Sequence, residues 1–334
     1  MNMEPVIKRI EPKAALPGGE VLMEGEHFMI DGSRPTVCID NEASHFVACS
    51  MQYGIVVVPP NASQGEVKMV RGSAESKPVR LRVASLLAAN LHPVSNPAVD
   101  EEGNIFATFS GSRGQKVPTS VFKITPDGVI PYLTELMNPT GMAFNSKGEL
   151  FVSSRLDGSV YKVRSRSQTE VYAKGMGVAT GLIFDPEDNL FVGDRSGTIF
   201  KIDPDRNTFV FATLEASVSA YHMAMDVRGF LFVTGPTIGC LDSVYRISQQ
   251  GDVEKYYLRL GRPQGMVFDR QGDLLVAASL GGRKGVVRIR PDRTASLAIA
   301  GAGIVGLALD PSKKDDLILA TADSIYRLKL DPMD

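Results

Sequence analysis

His222 is the one histidine inside the repeated part of the chain; His27, His45 and His92 lie outside the repeats. An imidazole titrates near neutral pH, so His222 is a candidate general base. No Ser-His-Asp spacing surrounds it, and no G-x-S-x-G elbow occurs in the sequence. Arginines offer a second chemistry. Arg155 lies in Ser153-Ser154-Arg155-Leu156-Asp157-Gly158, and Arg195 follows Asp194. Their guanidinium forks suit either a bidentate grip on an anionic ligand or an Arg–Asp brace between neighbouring elements. Arg113 with Lys116, and Arg283 with Lys284, fall in comparable loops. Three cysteines and four histidines supply neither a Cys-rich zinc site nor a multi-histidine metal centre. Cys38 and Cys49 read as small buried hydrophobes, because an inter-sheet disulfide would need wider spacing and a tryptophan, and the chain has none.

The chain has 334 residues, 43% of them hydrophobic and 22% charged, with a net charge of −2. A sizeable core is available. The charge balance gives no global pull toward nucleic acid or membranes, although a local basic patch fits within it. No apolar run approaches the ~20 residues of a membrane span. The N-terminus shows no basic segment followed by an apolar one, so the expected compartment is the cytoplasm, or an extracytoplasmic one if a leader has been removed.

The elements that must position these residues recur along the chain. One phrase places an acidic residue or Asn at Asp100, Asn145, Asp185, Asp226, Asp269 and Asp310, at spacings of 45, 40, 41, 43 and 41. Strand-like runs follow it, such as Glu149-Leu150-Phe151-Val152 and then Val160-Tyr161-Lys162-Val163. Four strands per unit of this length make one propeller blade, and six units predict a six-bladed β-propeller. No Trp-Asp dipeptide occurs, which excludes WD repeats. The last unit lacks a fourth strand, so residues 85–91 are expected to supply it and close the ring. Before them, short β-rich runs separated by turns such as Pro17-Gly18-Gly19 predict a β-sandwich. The expected fold is all-β: an Ig-like β-sandwich over 1–84, followed by a six-bladed propeller over 85–334 that is closed by its own N-terminal outer strand.

The opening Pro5-Val6-Ile7-Lys8-Arg9-Ile10-Glu11-Pro12, with Pro17-Gly18-Gly19-Glu20-Val21 and Gly25-Glu26-His27-Phe28, resembles the IPT/TIG family of Ig-like domains. That resemblance implies a spacer or docking module. The repeats resemble the NHL and senescence-marker/gluconolactonase-like propellers, which include lactonases, esterases, lyases and binding modules. In such propellers the innermost strands begin at the mouth of a central channel, beside the loops joining second to third strands. The column at those strand starts holds Ser95, Thr140, Thr180, Tyr221, Gln264 and Val305. The next column holds Asn96, Gly141, Gly181, His222, Gly265 and Gly306. Asn96 and His222 break the glycine pattern and are expected to project into the mouth. The gluconolactonase resemblance implies a divalent cation held there by carboxylates. The corresponding slots here are Ser95, Thr180 and Gln264, so no metal and no other cofactor is expected.

Three functions remain open. The leading expectation is a non-catalytic recognition propeller with an Ig-like docking module. It would bind a small anionic ligand or a protein on the channel-mouth face, through Asn96, Thr140, Arg155, Thr180, Arg195, Tyr221, His222 and Gln264. One alternative is a lactonase- or esterase-type hydrolase with His222 in an atypical site. The other is a structural component of a larger assembly. Nucleic acid is not an expected partner, because Tyr221 is the only aromatic of the column available for base stacking.

Overall fold

The computed structural model describes residues 3–313 and 315–331, and its elements are all β-strands. No helix is long and apolar enough to cross a membrane. From Ala98 to Leu260 the strands form consecutive antiparallel sheets of four, each running in chain order, as in a propeller. The first comprises Ala98–Val99, Ile105–Thr108, Val121–Thr125 and Gly128–Leu133. Three further sheets repeat this order through Leu260.

The repeated acidic position has a local structural cause. Asp100 Oδ1 accepts from the backbone N–H groups of Glu102 and Asn104. Asn145, Asp185, Asp226 and Asp269 bind the residues two and four positions on in the same way. A side-chain acceptor thus fixes the tight turn between first and second strands. A basic residue on the third strand lies over an aromatic ring of its own sheet: Lys123 over Phe106, Lys162 over Phe151, Lys201 over Phe191. Those rings pack edge-on against the next sheet, as in Phe106–Phe144 and Phe151–Phe184. The repeat phrase is therefore mostly a packing device.

Ser85–Ala88 pairs antiparallel with Ile325–Lys329 and forms the outer strand of the last sheet, as the missing fourth strand predicted. Residues 6–80 form two further antiparallel sheets. One joins Val6–Glu11, Glu20–Glu26, Tyr53–Val57 and Phe46–Cys49; the other is built on Thr36–Ile39 and Glu66–Arg71. Val21, Met23 and Val56 from the first share a buried core with Val37, Ile39, Val67 and Met69 from the second.

This module does not stand apart from the repeats. Ala14–Ala15 adds in parallel to the outer edge of the sheet containing Ala295–Ala300, and Arg82–Val83 adds beyond it, giving a six-stranded sheet. Leu16 N–H donates to the Ala300 carbonyl at 2.8 Å, and Leu16 is buried in the repeat core. Arg283 donates to the Glu11 carbonyl at 2.7 Å, because its hairpin lies against the N-terminal module. Cys38 and Cys49 differ from expectation. They sit on different sheets, both free and only half-buried.

Candidate functional site

The glycine column crowds the axis as its residue type requires. A Cβ on Gly181 would overlap the Tyr221 carbonyl oxygen, and one on Gly265 would overlap Asn96 Oδ1 and the backbone of Gly306. Asn96 itself fills the axis. Its Nδ2 donates to the Met266 carbonyl at 3.3 Å, and its Oδ1 accepts from Leu307 N–H at 3.1 Å. The side chain ties the first sheet to the fifth and sixth.

Burial changes the reading of four column residues. Thr140 and Thr180 are buried. The Thr180 hydroxyl donates to the Gly193 carbonyl at 2.8 Å and accepts from Tyr221 N–H at 3.1 Å. Tyr221 turns into the core with Phe191 and Met223, and its hydroxyl donates to the Glu215 carbonyl. Burial raises its phenol pKa further. Gly193 and Gly235 make the space, since a Cβ on either would strike the Tyr221 ring or its Cβ. Tyr221 is thus no stacking platform. His222 is 1% exposed, and among the described residues neither ring nitrogen meets a hydrogen-bond partner. Burial depresses its pKa to about 3, so the ring is neutral at pH 7. It does not project into an open mouth.

Gln264 lines a cleft of about 300 Å³ with Arg262, Ser279 and Lys284, walled by Gly261, Gly285 and Gly301, and its carbonyl accepts from the hydroxyl of Thr234, the strand partner of His222.

Arg113 and Arg195, in the loops that flank the one carrying Arg155, lie near enough for their charges to act on it. Burial first, then the positive charges of Arg195 and Arg113, pull the Arg155 pKa below its usual value. Arg155 Nη2 donates to the Gly111 carbonyl at 2.8 Å, whereas its buried Nε has no partner among the described residues. Arg195 Nη2 donates to the Val218 carbonyl at 2.9 Å. The neighbouring acids do not brace these arginines. Asp157 accepts from Tyr161 at 2.6 Å, and Asp194 accepts from Val178 N–H at 2.7 Å and from the Ser196 hydroxyl. Among the described residues, no carboxylate forms an ion pair with Arg113, Arg155 or Arg195.

Two contributors escaped the sequence reading. Asn138, buried at a left-handed φ of 48°, donates to the Gly111 and Ser112 carbonyls and accepts from Gly114 N–H, so it shapes the loop that carries Arg113. Ser110, next to the carbonyl that Arg155 holds, has a buried hydroxyl without a partner. An Asn directly before Pro139-Thr140 was the available signal for the first; no pattern marked the second.

A divalent cation needs several anionic oxygens. Among the described residues no three His, Cys, Asp or Glu side chains gather as a metal site. Ser95, Thr180 and Gln264 are neutral, and the Thr180 oxygen already accepts from Tyr221 N–H, so these slots offer no anionic oxygen to such an ion.

No family model matches the sequence, and no curated protein matches it. Solved structures do match in fold. An auxiliary nutrient binding protein from Bacteroides ovatus is 12% identical, with 98% of each chain covered and a TM-score of 0.56. A gluconolactonase candidate is 16% identical over 74% of this chain and 91% of its own, with a TM-score of 0.60. A virginiamycin B lyase from Staphylococcus aureus is 13% identical over 93% of this chain and all of its own, with a TM-score of 0.55. At these identities the likeness is one of fold: the chain is an all-β, propeller-like protein.

Proposed function

We propose that this chain is a six-bladed propeller (residues 85–334) carrying an Ig-like module of IPT/TIG type (residues 1–84), and that it recognises an anionic ligand without catalysing its turnover. The ligand is a small anion or an acidic surface on a partner, taken at the face formed by the second-to-third strand loops. One observation carries the reading. Arg113, Arg155 and Arg195, from successive repeats, lie near enough for their charges to interact, and among the described residues none has a carboxylate partner and Arg155 Nε is buried with nothing to donate to. A buried guanidinium N–H without an acceptor costs free energy that a bound anion recovers.

The recognition reading is preferred to hydrolysis because the candidate base is ill suited. His222 is buried, its depressed pKa of about 3 makes it a weak base, and among the described residues no nucleophile hydrogen-bonds to it. A screen against lactones and aryl esters, with and without divalent metals, tests this directly. The expected result is no turnover, together with a raised melting temperature in inorganic phosphate or citrate. Turnover abolished by His222→Ala would overturn the reading.

A further inference from the structure

The loop face has a second character that the arginines do not explain. In the fourth repeat the loop corresponding to those of Arg113, Arg155 and Arg195 spans residues 235–241. It presents Ile238 at 94% exposure and Leu241 at 60%, with Cys240 exposed between them. Val218, 42% exposed, lies against this loop, its N–H donating to the Pro236 carbonyl at 2.8 Å. The Val218 carbonyl in turn accepts from Arg195. Arginine and apolar tip are therefore joined by a direct chain of contacts.

The tip is held in shape rather than left loose. Asp242 Oδ1 accepts from Thr237 N–H and Oγ1 at 3.0 and 2.7 Å, and Thr237 Oγ1 accepts from Gly239 N–H. An isoleucine at 94% exposure has no walls around it, so it projects instead of lining a pocket. A small amphiphile would need a concavity. A projecting apolar tip flanked by unpaired cations instead suits an interface whose interior is apolar and whose surface is anionic. Glu215 and Asp157 are exposed negative charges nearby, and Lys116 is offset by Glu135, so the attraction rests on the three arginines.

We propose that this face docks reversibly on an anionic phospholipid surface, with Ile238 and Leu241 entering the interface and Arg113, Arg155 and Arg195 meeting lipid phosphates. The proposal rests on the anion-recognition reading above and names the partner. With no spanning helix and only two side chains to insert, binding is expected to be weak, peripheral and salt-sensitive.

The test is flotation of the full chain with vesicles of phosphatidylcholine alone or mixed with phosphatidylglycerol. Capture is expected only on the mixed vesicles and is lost in about 0.5 M salt. Arg195→Ala should lower capture about fivefold, the worth of one basic residue at such a surface (~1 kcal/mol). Ile238→Asp with Leu241→Asp should abolish it, and the milder Ile238→Ser should reduce it with an unchanged melting temperature. No capture on mixed vesicles, equal capture on neutral ones, or capture indifferent to the Ile238 and Leu241 variants overturns the proposal. If inorganic phosphate still raises the melting temperature through Arg155 while vesicles fail, the lipid proposal falls and anion recognition stands. If neither binds, both fall.

Discussion

Asn96 Nδ2 donates to the carbonyl of Met266, a residue 170 positions further along the chain. The same carboxamide accepts from Leu307 N–H, so one polar side chain holds the inner strands of three sheets at the axis. Truncation leaves a half-buried N–H and a carbonyl unpaired and opens space where Gly265 now lies against Asn96 Oδ1. Asn96→Ala is expected to cost about 1–3 kcal/mol in chemical denaturation. Asn96→Asp should do at least as much harm, since its carboxylate cannot donate to Met266. An unchanged midpoint for both variants would mean that the axial tie is dispensable.

His222 predicts a pH dependence of stability. Its pKa is depressed to about 3 in the fold, against an ordinary value of 6.5. Between these values the unfolded chain binds a proton that the native one does not, so stability falls as pH is lowered. The effect is absent above pH 6.5, grows by about 1.4 kcal/mol per pH unit below it, and levels off near the depressed pKa. Denaturation midpoints of the wild type and His222→Gln should therefore converge or cross as pH drops from 7 to about 4. Parallel acid limbs would show that His222 does not titrate in this way.

What could be read from the residues followed from how local the cause was. The turn acids from Asp100 to Asp310 act on backbone within a few positions, so their spacing announced the sheets. The missing fourth strand at the end of the chain implied the pairing of Ser85–Ala88 with Ile325–Lys329. The fate of Tyr221 depended on two glycines, Gly193 in another strand and Gly235 in a loop, and one column position cannot reveal whether its side chain faces the axis or the core. The parallel addition of Ala14–Ala15 to a sheet nearly 300 residues away is too short for any periodicity to register.

That addition carries its own consequence. Leu16 is 2% exposed, is bonded through its N–H to Ala300, and packs where a Cβ on Gly301 would meet it. The N-terminal module thus contributes to the repeat core through Ala14 and Leu16. Leu16→Ala should destabilise the protein by about 2–4 kcal/mol. Calorimetry of the full chain should show one transition, with Leu16→Ala shifting all of it. Two resolved transitions, only the smaller of them moved by the substitution, would show that the modules unfold independently.

Arg155 separates charge from geometry at the proposed anion site. Its Nη2 is engaged with Gly111, and its Nε is the orphan that a bound oxygen would satisfy. Lysine preserves the charge but not the fork that serves both partners. With citrate as the probe in isothermal titration, Arg155→Ala should weaken binding by about 10–100-fold, the range expected when a hydrogen bond to a charged group is lost. Arg155→Lys should recover only a small part of that loss. Full recovery by lysine would reduce the site to a diffuse positive field. In that case the affinity should follow ionic strength and the total charge of Arg113, Arg155 and Arg195 rather than the placement of any one guanidinium.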